Sequence, residues 1–265
     1  MTRPLGTPTW IDLGSNDFAS TKAFYEGLFG WRFDDAGEEY GHYCMVYNGD
    51  ALVGGAMDTS GMTGPDGAPL PSRWDVYLAA SDIDQRVELA KQHGAQVLME
   101  PHDAGAAGRF SMLLDPSGAV VGLWAAGDTE GYAFEGKPGG PVWFELMTPK
   151  FDAAEEFYTA VFDFDFVSET MSMEGSDFRY ATNGPEQEAS SGIFDTSVFP
   201  DGGDAYWRAY IAIESTDAAL AKVKELGGTV LDGPDDSPFG RITTIADPQG
   251  AQLQLCAMSE STPDE

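Results

Sequence analysis

Residues 10–31, WIDLGSNDFASTKAFYEGLFGW, return as residues 143–164, WFELMTPKFDAAEEFYTAVFDF. In this alignment Trp10 falls on Trp143 and Tyr25 on Tyr158. The same offset carries RWDVYLAASDID (73–84) onto YWRAYIAIESTD (206–217), with Trp74 on Trp207. One residue shorter, it carries GRFSMLLDPSGAVVGLW (108–124) onto GRITTIADPQGAQLQLC (240–256), with Asp115 on Asp247. Three ordered anchors at one spacing mark a tandem duplication, and a repeat of this kind dictates architecture.

The Gly-rich stretch AAGDTEGYAFEGKPGG (125–140) separates the copies and reads as a linker. The expected division is a first domain over residues 1–126, a linker over 127–139, a second domain over 140–258 and a polar tail over 259–265. Each copy is itself twofold. Residues 8–13 alternate as a strand, and 19–29 place Ala19, Ala23, Phe24 and Leu28 on one helical face. Strand-like segments follow near 41–48 and 51–57. The order then restarts with a strand at 75–80, a helix at 83–93 and strands near 95–99, 109–114 and 119–125. Gly94 and Gly227 stand where a helix end wants a left-handed residue. DPSG and DPQG are Asp-Pro turns joining the last two strands of each copy. The chain is therefore predicted to be α+β, with the unit strand–helix–strand–strand–strand present four times.

Composition bounds the partners. The net charge of −30 comes from 44 acids against 14 bases, scattered along the chain. Such a surface repels nucleic acid and anionic lipid, which both require a basic footprint. No apolar run is long enough to cross a bilayer. The opening MTRPLGTPTW has neither an apolar h-region nor a small-residue cleavage site, so a cytoplasmic location is expected. Cys44 and Cys256 follow no metal or redox spacing and read as reduced, buried thiols. Self-repulsion should weaken the fold at low ionic strength. The melting temperature is therefore expected to rise from low salt to 0.1 M, where the Debye length is about 10 Å. A flat or falling melting temperature over that range would contradict this.

The repeated unit, with FYEGLFGW at the end of the first helix and DPSGA before the last strand, resembles the vicinal oxygen chelate superfamily. That group includes glyoxalase I, bleomycin-resistance proteins, fosfomycin-resistance enzymes and extradiol dioxygenases. The layout is similar to tandem glyoxalase-like proteins of actinobacteria. The resemblance implies curled mixed sheets that form ligand cups, with a small molecule bound inside. It also implies metal positions at the start of the first strand, at the start of the fifth, and seven residues after the Asp of the Asp-Pro turn.

Counted onto this chain, the first position is Trp10 or Trp143. The second is Trp74 or Asp75 in one copy and Trp207 or Arg208 in the other. The third is Gly122 and Gln254. An indole nitrogen only donates hydrogen bonds and cannot ligate a metal, and glycine has no side chain to offer. Both metal sites read as dismantled, so no metal and no cofactor is expected. Trp10, Trp74, Trp143 and Trp207 are then read as walls of the cups, the alternative being that the indoles simply fill the core. Trp124 is expected to point outward or into an interface.

Arg109 and Arg241 each open the seventh strand of a copy behind a glycine, with Asp103 and Asp235 six residues earlier. One reading is an Arg–Asp pair pinning a loop to the strand. The other is a guanidinium that receives an acidic or carbonyl-bearing ligand, together with Gln254. Asp12 and Glu145, one strand step inward from Trp10 and Trp143, are the candidate acid–base groups. Two functions stay open. The first is a metal-independent protein that binds a planar or hydrophobic metabolite, an antibiotic or polyketide, for sequestration or assisted tailoring. The second is a glyoxalase- or hydroxylase-type enzyme with a noncanonical metal site or acid–base chemistry at Asp12 or Glu145. A fold kept only for protein contacts is a third. A monomer or weak homodimer is expected.

Overall fold

The computed structural model describes residues 3–64, 67–133, 136–173, 176–185, 187–200 and 202–260. Four similar modules follow one another. The first is β1 (Pro8–Ser15), α1 (Phe18–Phe29), β2 (Arg32–Asp35), β3 (Cys44–Asn48) and β4 (Ala51–Asp58). The second is β5 (Arg73–Ala79), α2 (Ile83–Gln92), β6 (Gln96–Asp103), β7 (Gly108–Leu114) and β8 (Val120–Ala126). The third is β9 (Pro141–Thr148), α3 (Phe151–Phe162), β10 (Val167–Met173), β11 (Ser176–Thr182) and β12 (Gly192–Asp195). The fourth is β13 (Tyr206–Ala212), α4 (Thr216–Glu225), β14 (Thr229–Ser237), β15 (Gly240–Ala246) and β16 (Gln252–Ala257).

The strands form two eight-stranded mixed sheets, ordered β2-β3-β4-β1-β5-β8-β7-β6 and β10-β11-β12-β9-β13-β16-β15-β14. In every module the strand before the helix runs parallel to the last strand, and the remaining pairs are antiparallel. A parallel pair needs a crossover, and the helix supplies it. The architecture is the expected α+β arrangement of four strand–helix–strand–strand–strand modules.

Local chemistry explains the element ends. The Asp17 side chain accepts the Ser20 amide at 3.2 Å and caps α1. Gly94 and Gly227 follow α2 and α4 at φ of 89° and 85°, the left-handed exit their positions suggested. Asp115 Oδ1 accepts the amides of Gly118 and Ala119 at 2.8 and 3.0 Å, and Asp247 Oδ1 those of Gln249 and Ala251 at 2.8 and 2.9 Å. Each Asp-Pro turn is thus closed by its own carboxylate.

Two expectations are corrected. The strand Arg32–Asp35 was not foreseen, because only Phe33 of its four residues is buried and no alternation marks it. The buried face of α1 is Thr21, Phe24 and Tyr25, while Ala19 and Ala23 are exposed. Tyr25 sets that orientation, since its hydroxyl must reach a buried partner.

By contact density the described chain forms two compact units, each assembled from both copies of the repeat. One holds the N-terminal residues to Trp10 with Asp75–Gly131 and Trp143–Arg208. Inside it α2 packs on α3, and Arg86 donates to the Val161 carbonyl at 2.9 Å. The Tyr158 hydroxyl accepts from Trp207 Nε1 at 2.8 Å and donates to Asp115 Oδ2 at 2.8 Å. The other unit holds Ile11–Trp74, Tyr132–Val142 and the chain from Ala209. Inside it α1 packs on α4, Trp74 Nε1 donates to the Tyr25 hydroxyl at 2.9 Å, and that hydroxyl bonds the Asp247 carboxylate. Each unit therefore centres on the same buried Trp–Tyr–Asp chain, with a tyrosine from one copy and an Asp-Pro turn from the other. Burial, reinforced by the neighbouring aspartate, pushes both tyrosine hydroxyls well above their ordinary value. Burial also raises the Asp247 carboxyl.

Candidate functional site

Strand alternation sorts the side chains into two faces. In β9, Phe144 and Leu146 are fully buried on one face, leaving Trp143 and Glu145 on the other. In β13, Trp207 meets α3 through Tyr158 at a ring-centroid distance of 5.5 Å, which turns Arg208 to the face without helices. There Arg208 donates to Glu145 Oε2 through Nε at 3.0 Å and through a terminal nitrogen at 2.6 Å. The Tyr180 hydroxyl donates to Glu145 Oε1 at 2.8 Å and accepts from Trp143 Nε1 at 3.0 Å. Glu145 is only 7% exposed, and a buried carboxylate is tolerable when a guanidinium and further hydrogen bonds satisfy it. Rings continue from this network. Tyr180 meets Phe194 edge-on, Phe178 stacks on Phe194 at 4.4 Å, and Phe199 lies parallel to Phe194 at 6.0 Å with 41% of its surface exposed.

The first copy differs in detail. Asp12 accepts the Tyr43 hydroxyl at 3.1 Å, and that hydroxyl fills the space where Gly55 would carry a side chain. Trp10 is buried and stacks on Trp124, with centroids 6.3 Å apart and planes 17° apart. Trp124 was expected to point outward or into an interface. It lies instead on the face of Gly122, two residues before it, and donates from Nε1 to the Thr129 carbonyl at 2.9 Å. The Tyr77 ring lies against Gly122, where a Cβ would collide with it.

Trp74 and Trp207 do not share a face with Trp10 and Trp143, as the sequence reading supposed. Both are buried on the helix side, bonded to Tyr25 and Tyr158. The reason is that most of β5 and β13 is buried on both sides, so burial alone does not tell the two faces apart, and the helix tyrosines Tyr25 and Tyr158 take the indoles. Arg109 pairs with Asp103 at 2.8 Å, as the spacing suggested, and also with Asp84 at 2.7 Å. It lines an open depression of about 300 Å³ with Ser81, Asp82, Gln85 and Ala125. Arg241 pairs with Asp236 at 3.4 Å and Asp217 at 3.6 Å; the strand register sets Asp236 opposite it, one residue beyond the expected Asp235. Gln254 is buried and accepts from Thr244 at 2.9 Å on the neighbouring strand.

The donor set does not fit a divalent metal at the superfamily positions. Arg208 brings a positive charge to the Glu145 carboxylate, where a metal would have to compete with it. The Tyr77 ring fills the space over Gly122. His42 is tied to Asp35 on an exposed turn, and His102 packs on Phe110. Among the described residues no three His, Cys, Asp or Glu side chains converge as a metal cluster. None of the described helices is long and apolar enough to cross a membrane.

Tyr43, Tyr180, Phe178, Phe194 and Phe199 were not singled out from sequence. The available signal was the alternation of Phe178 and Tyr180 in β11, which puts both rings on the face of Glu145.

The family model for the glyoxalase/bleomycin resistance protein/dioxygenase superfamily matches residues 7–123 and again 140–255. The putative glyoxylase CFP32 of Mycobacterium tuberculosis (strain CDC 1551 / Oshkosh) is 37% identical over 252 residues, covering 93% of this chain and 92% of that protein. The anthracycline biosynthesis protein DnrV of Streptomyces peucetius is 29% identical over 271 residues, covering 97% of this chain and 95% of that protein. Among solved structures, the Mn(II)-bound glyoxalase from Novosphingobium aromaticivorans superposes with a TM-score of 0.60 at 18% identity, over 99% of this chain and 85% of that one. The 2,3-dioxygenase LapB from Pseudomonas sp. KL28 gives 0.64 at 14% identity, over 96% and 93%. At such identities these two likenesses speak to the fold alone.

Proposed function

The chain belongs to the glyoxalase/bleomycin resistance protein/dioxygenase superfamily, in two tandem copies, and on that premise we propose that it binds a planar, aromatic metabolite without a metal ion, to sequester it or assist its tailoring. One observation carries the reading. In each copy the helix-free face of the first strand bears an indole and then a carboxylate that accepts a tyrosine hydroxyl: Trp10, Asp12 and Tyr43, and again Trp143, Glu145 and Tyr180. Rings supply stacking area, and the polar groups orient hydroxyls or carbonyls on the ligand's rim. The relatives named for anthracycline biosynthesis support an antibiotic or polyketide ligand.

The test is titration of chelator-treated protein with 1,8-dihydroxyanthraquinone. Tryptophan fluorescence should be quenched, and the melting temperature should rise by an amount that added EDTA leaves unchanged. Ligand at 100 times its dissociation constant stabilises by about 2.7 kcal/mol when only the folded state binds. Absence of both signals counts against the proposal.

The tyrosine–carboxylate bonds also favour a second reading, acid–base catalysis at Glu145 or Asp12. It requires chelator-treated protein to turn over a glyoxalase-type substrate such as the methylglyoxal–glutathione hemithioacetal, and the Glu145→Gln variant to lose that turnover.

A further inference from the structure

We infer that the ligand site is the second copy's alone, one per chain, on the face bearing Trp143, Glu145, Tyr180, Phe194, Phe199 and Arg208, and that it takes a planar aromatic with an acidic hydroxyl. This rests on the binding function proposed above and assigns its site and ligand class.

The repeat lets the copies be compared position by position. In the first copy Trp124 stacks on Trp10 and both indoles are buried, so that wall is already covered by the protein's own ring. The corresponding residue of the second copy is Cys256, and Trp143 is only half-buried. The carboxylate-bearing strand of each copy pairs with a glycine, Gly55 opposite Asp12 and Gly192 opposite Glu145. Two residues beyond that glycine stands Met57 in the first copy and Phe194 in the second. Only Phe194 continues into a ladder of parallel rings ending at the exposed Phe199. A ladder that ends in an exposed flat ring can extend by one more planar molecule.

Charge separates the copies as well. Near the start of the fifth strand of each copy, the first copy has Asp75 and the second has Arg208. The first copy thus brings carboxylates at both positions, Asp12 and Asp75. The second balances Glu145 with a guanidinium. On a chain of net charge −30, the guanidinium and the tyrosine hydroxyl fixed on the second copy's face are the groups that receive an acidic phenol.

The experiment is calorimetric titration of the full chain with 1,8-dihydroxyanthraquinone, followed by its dimethyl ether. The expected stoichiometry is one per chain, with the dimethyl ether weaker by tenfold or more. Phe199→Ala, an exposed ring whose loss spares the fold, should weaken binding about tenfold. Trp124→Phe, which keeps the first copy's wall covered, should leave affinity within a factor of two. Two sites per chain, equal binding of the ether, an unaffected Phe199→Ala variant, or a loss confined to Trp124→Phe would each overturn the inference while leaving the binding function standing. Complete absence of binding overturns both.

Discussion

Replacing Trp207 by alanine is expected to lower the unfolding free energy by about 3–5 kcal/mol, and Trp74→Ala by a similar amount. Both indoles are at most 6% exposed, and each packs edge-on against the tyrosine to which it donates, Tyr158 or Tyr25. Truncation opens a cavity beneath a helix and removes one hydrogen bond from a buried tyrosine hydroxyl. Trp207→Phe keeps most of the apolar area and should cost roughly half as much, mainly through the lost Nε1–H bond. Urea unfolding of the variants measures both values. A loss below about 1 kcal/mol for the alanine variants would return these residues to the ligand-lining role that the sequence reading gave them.

The second large effect is alkaline. Tyr25 and Tyr158 are held protonated, first by burial and then by Asp247 and Asp115. Their folded pKa values lie above the ordinary tyrosine value near 10, whereas in the unfolded chain they titrate at that value. Above about pH 10 the unfolded state releases these protons and the native state keeps them. The native state then binds more protons, so stability falls as pH rises, by about 1.4 kcal/mol per pH unit for each tyrosine. Together they give about 2.7 kcal/mol per unit, and they contribute no pH dependence below that range. Cys44 and Cys256, also raised by burial, act with the same sign from about one unit lower. Urea midpoints between pH 9 and 11.5 should therefore drop steeply for the native chain. The double variant Tyr25→Phe, Tyr158→Phe should lose most of that slope. An unchanged slope in that variant would rule the tyrosines out as its source.

Much of this fold was legible because the duplication is loud and the helices end on recognisable residues. Gly94, Gly227 and the two Asp-Pro turns did what their chemistry requires. What escaped the sequence was the facing of strands buried on both sides. In β5, Trp74, Val76, Tyr77 and Leu78 are all buried, so no alternation says which of them meets a helix. The Arg241 partner slipped by one residue because β14 carries register shifts that a fixed spacing does not see. The buried Trp–Tyr–Asp chains were hidden in plain view. Their members are the anchor pairs that align the repeat: Tyr25 with Tyr158, Trp74 with Trp207, and Asp115 with Asp247. Periodicity reads local structure, and the tyrosine–aspartate bonds join residues from opposite copies, so the anchors were visible while their partnership was not.

The exchange of segments between the two compact units has a consequence for biosynthesis. The unit that begins at Ile11 needs the chain from Ala209 onward, so its earliest strands emerge from the ribosome long before the strands and helix that complete it. The unit centred on Tyr158 needs Trp207, nearly at the end of its own span. A nascent chain stopped after the first copy would have made Tyr25 and Asp115 but neither of their partners, Asp247 and Tyr158. Contacts of such sequence separation make folding slow and largely post-translational. Until the last strand is released, a first copy without its partners depends on its dense acidic charge, or on a chaperone, to stay apart from others of its kind.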